Sequence, residues 1–303
     1  MLTTREKALA AWIVVCVVWG TTYLAIRVCL ETMPPFLMGG MRWLSAGLLF
    51  TAALWKRGRT LPRHAWSSIV LTALLLIFLG NGAVVWAEQY VSSGLTAVII
   101  ASSPFWMVAS EAVSGAERVK GRILLGLAVG FSGIVLLVWP ELSAGGAPRK
   151  GFLAGVIALQ LACAAWALGS SRSKRHMVST DVFALTAAQM LIAGTAFLIV
   201  ATAFGEWQNL HFSARSTGAL LYLIVVGSIG AYASYAYALK HLPVALVSLY
   251  AYINPIIAVV LGVLLLGETF NARMGVAAAV VLVGVAIVQR PSSENKSSGR
   301  RAA

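Results

Sequence analysis

Cys16, Trp19 and Tyr23 fall at i, i+3 and i+7 with Thr22 beside them, and Gln160, Cys163 and Trp166 fall at i, i+3 and i+6 later in the chain. At helical spacing each set shares one face. Such a face offers hydrogen bonds and flat π surfaces but no strong acid or base, so its chemistry is recognition of a small organic molecule. Two further stretches have the same character. Ser103-Pro104 and Asn254-Pro255, with Tyr250 one turn before Asn254, put a proline inside an apolar run. Proline donates no backbone hydrogen bond and crowds the carbonyl four residues earlier, which predicts underused carbonyls at Ile100 and Ala251 and a kink that bares Ser103 and Asn254. Asn81, Tyr232 and Tyr235 complete the set, with Ser228 on the face of the two tyrosines. The candidate substrate-binding residues are therefore Trp19, Thr22, Tyr23, Asn81, Ser103, Gln160, Cys163, Trp166, Tyr232, Tyr235, Tyr250 and Asn254.

Bond-making chemistry finds no foothold. His64, His176, His211 and His241 fall in expected loops, and the chain has no phosphate-cradling GxxxxGK[ST] loop, no HExxH, no GxSxG and no dinucleotide fingerprint. Its three cysteines, Cys16, Cys29 and Cys163, are an odd number without a CxxC pair, so neither a disulfide framework nor a zinc site is expected. No catalytic residue, cofactor or metal follows.

The elements that must position these residues are membrane helices. The chain is 59% hydrophobic, 11% charged and has a mean hydropathy of +0.85, more apolar surface than a soluble domain could hide. A helix needs about 20 mostly apolar residues to cross the hydrocarbon core. Ten runs qualify, over 8–26, 35–55, 66–87, 94–113, 121–139, 151–170, 180–204, 215–239, 244–266 and 272–288. They are continuous rather than alternating, which predicts an all-α membrane protein and not a barrel. The first run lacks a cleavage pattern before Arg27 and reads as an uncleaved span.

The net charge of +13 is a topology signal. With the N-terminus in the cytoplasm, 17 of the 23 Lys and Arg residues fall on that side and five on the other. That excess predicts a multi-pass protein with both termini cytoplasmic and no nucleic-acid partner. Its expected partners are the lipid bilayer and a small-molecule substrate.

The runs come in two sets of five. Residues 94–137 align without a gap onto 245–288 at an offset of 151, pairing Pro104 with Pro255, Glu117 with Glu268 and Gly133 with Gly284. Upstream the offset is 147, pairing Cys16 with Cys163, Trp19 with Trp166, Phe36 with Phe183, Leu44 with Leu191 and Gly47 with Gly194. Five crossings are odd in number, so the second copy must enter the bilayer inverted. The expected fold is ten transmembrane helices as two inverted five-helix repeats around a central cavity, over 8–140 and 148–290, with 291–303 a disordered cytoplasmic tail. Spans 5 and 10, nearly free of polar residues, read as scaffold. The polar and aromatic residues gather in spans 1, 3, 4, 6, 8 and 9, where they should face a cavity rather than lipid. Mid-span glycines make spans 3 and 8 candidates for moving parts. Arg42, about two turns into span 2, is placed to snorkel or to neutralise a carboxylate. No Asp, Glu or His occupies a mid-span position on the cavity side, which argues for facilitated rather than proton-coupled transport.

Trp19-Gly20-Thr21-Thr22-Tyr23 followed by Arg27, the Pro34-Pro35-Phe36 start of span 2, Arg42-Trp43, and Leu266-Gly267-Glu268 together resemble the EamA-type drug/metabolite transporters. The resemblance covers residues 8–290. It implies a basket of spans 1, 3, 4, 6, 8 and 9 and alternating access. Within the superfamily the chain is similar to amino-acid and metabolite exporters of bacterial inner membranes, those for aromatic amino acids included. The first copy departs from the motif, with Gly115-Ala116-Glu117 where the second has Leu-Gly-Glu. The expected activity is export of neutral or aromatic amino acids, the zwitterion held without a fixed counter-charge; the alternative is multidrug or quaternary-amine efflux, with a channel behind it.

Overall fold

The computed structural model describes residues 2–62, 66–113, 121–143, 150–176 and 181–289, and every regular element among them is helical. The expected tail at 291–303 lies outside the described residues. Seven helices are long and apolar enough to cross a membrane: Thr4–Cys29, Pro35–Trp55, Trp66–Ala87, Ser93–Ser110, Phe152–Lys174, Val182–Ala203 and Ala214–His241. Leu124–Leu137, Tyr250–Leu266 and Ala272–Ile287 are shorter apolar helices. Seven of the ten expected runs therefore meet the length for a crossing, and the other three hold shorter apolar stretches among the described residues.

Local chemistry sets the helix ends. Helix α1 (Thr4–Cys29) opens on a capping box in which Thr3 and Glu6 satisfy each other's backbone donors. Helix α2 (Pro35–Trp55) starts with proline in its first turn, where no donor is needed. The carboxylate of Glu206 accepts from the Leu37 amide at 2.6 Å and the Phe36 amide at 3.4 Å, capping α2 from a distant loop. In α9 (Val182–Ala203) the Asp181 side chain accepts from Phe183.

The third and eighth runs are each interrupted. Helix α3 (Trp66–Ala73) passes into a π-helical segment, Leu74–Asn81, before α4 (Gly82–Ala87). Helix α10 (Ala214–Tyr222) likewise passes into a π-helical segment, Leu223–Gly230, before α11 (Ala231–His241). Both segments are eight residues long. They lie at matching places of the two sequence copies, at an offset between 147 and 151.

The fourth and ninth runs break rather than bend. Helix α5 (Ser93–Ile100) stops and α6 (Ser103–Val113) restarts beyond Ala101 and Ser102, so Pro104 sits in the first turn of a new helix. The kink expected around Pro104 is a full break, and the Ile100 carbonyl is not left free: the Ser103 hydroxyl donates to it at 2.6 Å. Helix α12 (Val244–Val247) is one turn long, and α13 (Tyr250–Leu266) carries Pro255 inside it. Glu268, just past the left-handed Gly267 that ends α13, accepts from the Ser93 amide and hydroxyl at 2.8 Å each and the Gly94 amide at 3.1 Å. A carboxylate from the second copy thus caps α5 of the first, where the helix dipole favours negative charge.

Packing pairs corresponding helices. Helix α2 lies along α9, and α7 (Gly121–Ser143) along α14 (Ala272–Gln289). A methyl added at Gly47 would meet the Leu191 backbone at 2.9 Å, and one at Gly194 would strike the Leu44 backbone. Those contacts are reciprocal under the 147-residue offset. Gly133 against Val281 and Gly284 against Gly130 repeat the reciprocity under the 151-residue offset. Without a hydrophobic drive between helices in lipid, such small-residue crossings let backbones touch and dispersion hold them. Leu124, Leu125, Val135, Val276 and Val283 stay exposed on the outer faces of α7 and α14, as lipid-facing side chains would. Helix α1 packs on α13 and α11, while α8 (Phe152–His176) packs on α6 and the first π segment.

Candidate functional site

A cavity of about 60 Å³ opens where α1, α2, the first π segment, α4, α5, α6, α8 and α13 meet. Eight of the twelve expected residues line it: Trp19, Thr22, Tyr23, Asn81, Ser103, Cys163, Trp166 and Tyr250. Aromatic, polar and charged side chains share its lining.

One wall is aromatic. The Trp19 ring centroid stands 5.3 Å from Trp166 and 5.0 Å from Tyr250, both edge-on, and 5.0 Å from Tyr235. These spacings suit the ring quadrupoles. Tyr235 is outside the lining and orients Trp166, accepting from its indole N–H at 3.1 Å and sharing a 2.6 Å hydrogen bond with Ser170. Trp19 and Trp166, equivalent by offset, are direct neighbours in space.

Three other expected residues stand behind the lining. Gln160 accepts from the Trp106 indole at 2.9 Å and donates to Ser102 at 3.2 Å, which ties α8 to α6. Asn254 turns its amide nitrogen to the carbonyls of Cys16 at 2.9 Å and Tyr250 at 3.1 Å, tying α13 to α1. Its equivalent, Ser103, donates to Cys163, the equivalent of Cys16, at 3.3 Å. Tyr232 donates to Gln189 at 3.1 Å. All three cysteines are buried and free.

The other wall is polar and holds a charge the sequence reading left out of the site. Arg42 lines the cavity and is only 2% exposed. It does not snorkel. Its Nε donates to the Ser228 hydroxyl at 2.8 Å, on the second π segment, and its Nη1 to the Asn81 side-chain oxygen Oδ1 at 3.3 Å, at the end of the first. Its guanidinium carbon lies 4.6 Å over the Trp43 ring. The expectation of a cavity without fixed charge is thereby corrected. Counting residues along span 2 gives depth but not facing, and the two π segments bring Asn81 and Ser228 to one side chain. Arg59 pairs with Asp181 and Arg215 with Glu31, both exposed and outside the cavity lining.

A second ionisable group lies nearby. Glu88, at the C-terminal end of α4, is 0% exposed, and neither carboxylate oxygen has a hydrogen-bond partner. Arg27 donates to its backbone carbonyl, and the fields of Arg27 and Arg42 reach its carboxyl. No group of three or more His, Cys, Asp or Glu among the described residues could hold a metal ion.

Comparison with known proteins brings these features into one frame. The model of the EamA-like transporter family matches residues 7–139 and again 153–290. The chain is 36% identical over 276 residues to a protein of Escherichia coli K12 described as the uncharacterized inner membrane transporter YedA, covering 90% of this chain and 87% of that one. It is 30% identical over 285 residues to a chloroplastic WAT1-related protein of Arabidopsis thaliana, across 91% of this chain and 68% of the relative. A crystal structure at 20% identity superposes with a TM-score of 0.71 over 94% of this chain and 98% of its own, a likeness of fold.

Proposed function

This chain belongs to the EamA-like transporter family, and on that premise we propose that it exports small organic solutes, neutral or aromatic amino acids foremost, from the cytoplasm across a bacterial inner membrane. The observation that carries the reading is the cluster of Trp19, Trp166 and Tyr250, backed by Tyr235, facing a polar wall of Arg42 and Asn81 that Ser228 supports from behind. Flat rings take up an aromatic or apolar side chain, and the polar groups fix its head. Weak, permissive binding suits export, because a solute held tightly would not leave. The likeness to the bacterial aromatic amino-acid exporter YddG belongs to this proposal.

The architecture proposed is ten crossings as two inverted copies, over 8–140 and 148–290, with both termini in the cytoplasm. Two separate family matches and the reciprocal contacts of α2 with α9 and α7 with α14 support it. One copy rocks against the other to move the opening from the cytoplasmic to the outer face, a mode suited to inverted repeats. The Trp19–Trp166 contact sits on the pseudo-axis and must open for loading. A proton-coupled cycle would fall to Glu88, and a facilitated one would leave it silent.

Efflux of quaternary amines would be served by the same rings, but a buried guanidinium in the facing wall repels cations, so the amino-acid reading is preferred. The test is counterflow of radiolabelled tryptophan in liposomes holding the purified protein. Saturable exchange is expected; none for any amino acid, together with efflux of a cationic dye, would overturn the reading.

A further inference from the structure

Arg42 is more charge than its surroundings require. The guanidinium is buried, and both its hydrogen-bond acceptors, Ser228 and Asn81, are neutral. Among the described residues no carboxylate pairs with it directly, and the buried Glu88 acts on it only at longer range. A buried ion without a close counter-charge is costly even after relaxation, which is why such groups in membrane spans mark function. Packing alone does not call for it. The 147-residue offset carries Arg42 onto Gln189, which is 1% exposed and bridges the same two spans, donating to Thr72 at 2.8 Å and accepting from Tyr232 at 3.1 Å. A neutral amide thus does the bridging work in one copy, and the other copy carries a cation facing a cavity.

The free part of the fork points the same way. Guanidinium has five N–H donors in a planar array matched to a carboxylate. Nε and Nη1 are engaged, while Nη2 makes no hydrogen bond among the described residues and borders Gly227, where an added methyl would lie 3.5 Å from it.

We propose that the Arg42 guanidinium is the receptor for a carboxylate of the transported solute, so that the cavity selects aromatic or apolar acids and zwitterions over amines of the same shape. The claim rests on the transport reading above and sharpens it. Asn81 and Ser228 hold the guanidinium in place, the rings of Trp19, Trp166 and Tyr250 take the solute's apolar part, and the incoming carboxylate supplies the missing counter-charge. The ammonium group of an amino acid is then optional.

The test uses wild-type protein first. Exchange of radiolabelled tryptophan in liposomes is competed with indole-3-propionate, which keeps the carboxylate and lacks the ammonium, and with tryptamine, which does the reverse. Indole-3-propionate should compete comparably to tryptophan and tryptamine roughly 10- to 100-fold less well, the range of a charge-assisted hydrogen bond. Tryptamine competing as well as tryptophan would overturn the proposal. Arg42→Gln should level the two competitors, and Arg42→Lys should keep the preference in weakened form. Should wild-type protein exchange no amino acid, the transport reading fails separately, and thermal stabilisation in detergent still decides the site. Stabilisation by indole-3-propionate but not tryptamine supports a carboxylate receptor. Equal stabilisation, none, or an effect of chloride alone that the carboxylate does not displace, sinks it.

Discussion

Arg42 and Gln189 occupy matching places in the two halves of the molecule and end in different chemistry. Each lies on one of the paired helices α2 and α9, is buried, and reaches one residue in the third run and one in the eighth. Gln189 uses its oxygen and a nitrogen on Tyr232 and Thr72 and sits outside the cavity lining. Arg42 does the same bridging and has donors and a charge left over. The backbone scaffold repeats and the recognition does not. A solute has a head and a tail, so a cavity that holds it in one orientation needs unlike walls, whatever the symmetry of the helices around it.

The comparison can be broken from its quiet side. Gln189→Arg places a second buried cation against Thr72 and Tyr232 with no cavity to serve it, and should cost about 3–5 kcal/mol, read as loss of the folded fraction on heating in detergent. If the variant melts like wild type, the environment at 189 tolerates charge as readily as that at 42, and the contrast fails. Gln189→Met removes the amide while keeping its bulk and leaves the Tyr232 hydroxyl without its acceptor; a loss of about 1–2 kcal/mol is expected by the same measurement. Arg42→Gln makes the two positions alike and should cost less than about 1 kcal/mol of stability, because a neutral bridge suffices at the equivalent site. A collapse of that variant would give Arg42 a structural role instead. The smallest effect is a control away from both positions. Burial lifts the Glu206 carboxyl above the ordinary carboxylate range, so the folded state holds that proton more tightly than the unfolded chain. The stability it lends is full below the ordinary value and fades as pH rises through the raised one. Over that window wild type should lose slightly more melting temperature than Glu206→Gln, with the Gln189 variants tracking wild type.

Much of this was legible in the amino-acid sequence. Apolar run length marks membrane helices because lipid imposes a length, and the offset between copies made Trp19 and Trp166 equivalent before any coordinates. Ser103, singled out by the proline beside it, and Cys163, by its helical spacing, both line the cavity. Gln160, Tyr232 and Asn254 did not, since a polar residue deep in a bundle can be spent on a neighbouring helix, and helical spacing alone does not say which neighbour it meets. Arg42 was placed by depth when its facing was what mattered. A sequence signal existed in the pairing of a basic residue with an amide across the repeat. The π segments left no such trace: hydrogen-bond register changes within one apolar alphabet. The break at Ala101 and Ser102 was foreshadowed by Pro104, but its sharpness depends on Ser103 taking up the Ile100 carbonyl.

Those two π segments give the molecule slack. A helix wound to the fifth residue spends more chain per unit of length than one wound to the fourth, so each segment stores surplus backbone inside an otherwise unbroken rod. Surplus of that kind can travel along the rod like a ruck in a carpet, turning the residues it passes without unzipping the whole. Asn81 and Ser228 ride on the two rucks, and one arginine pins both.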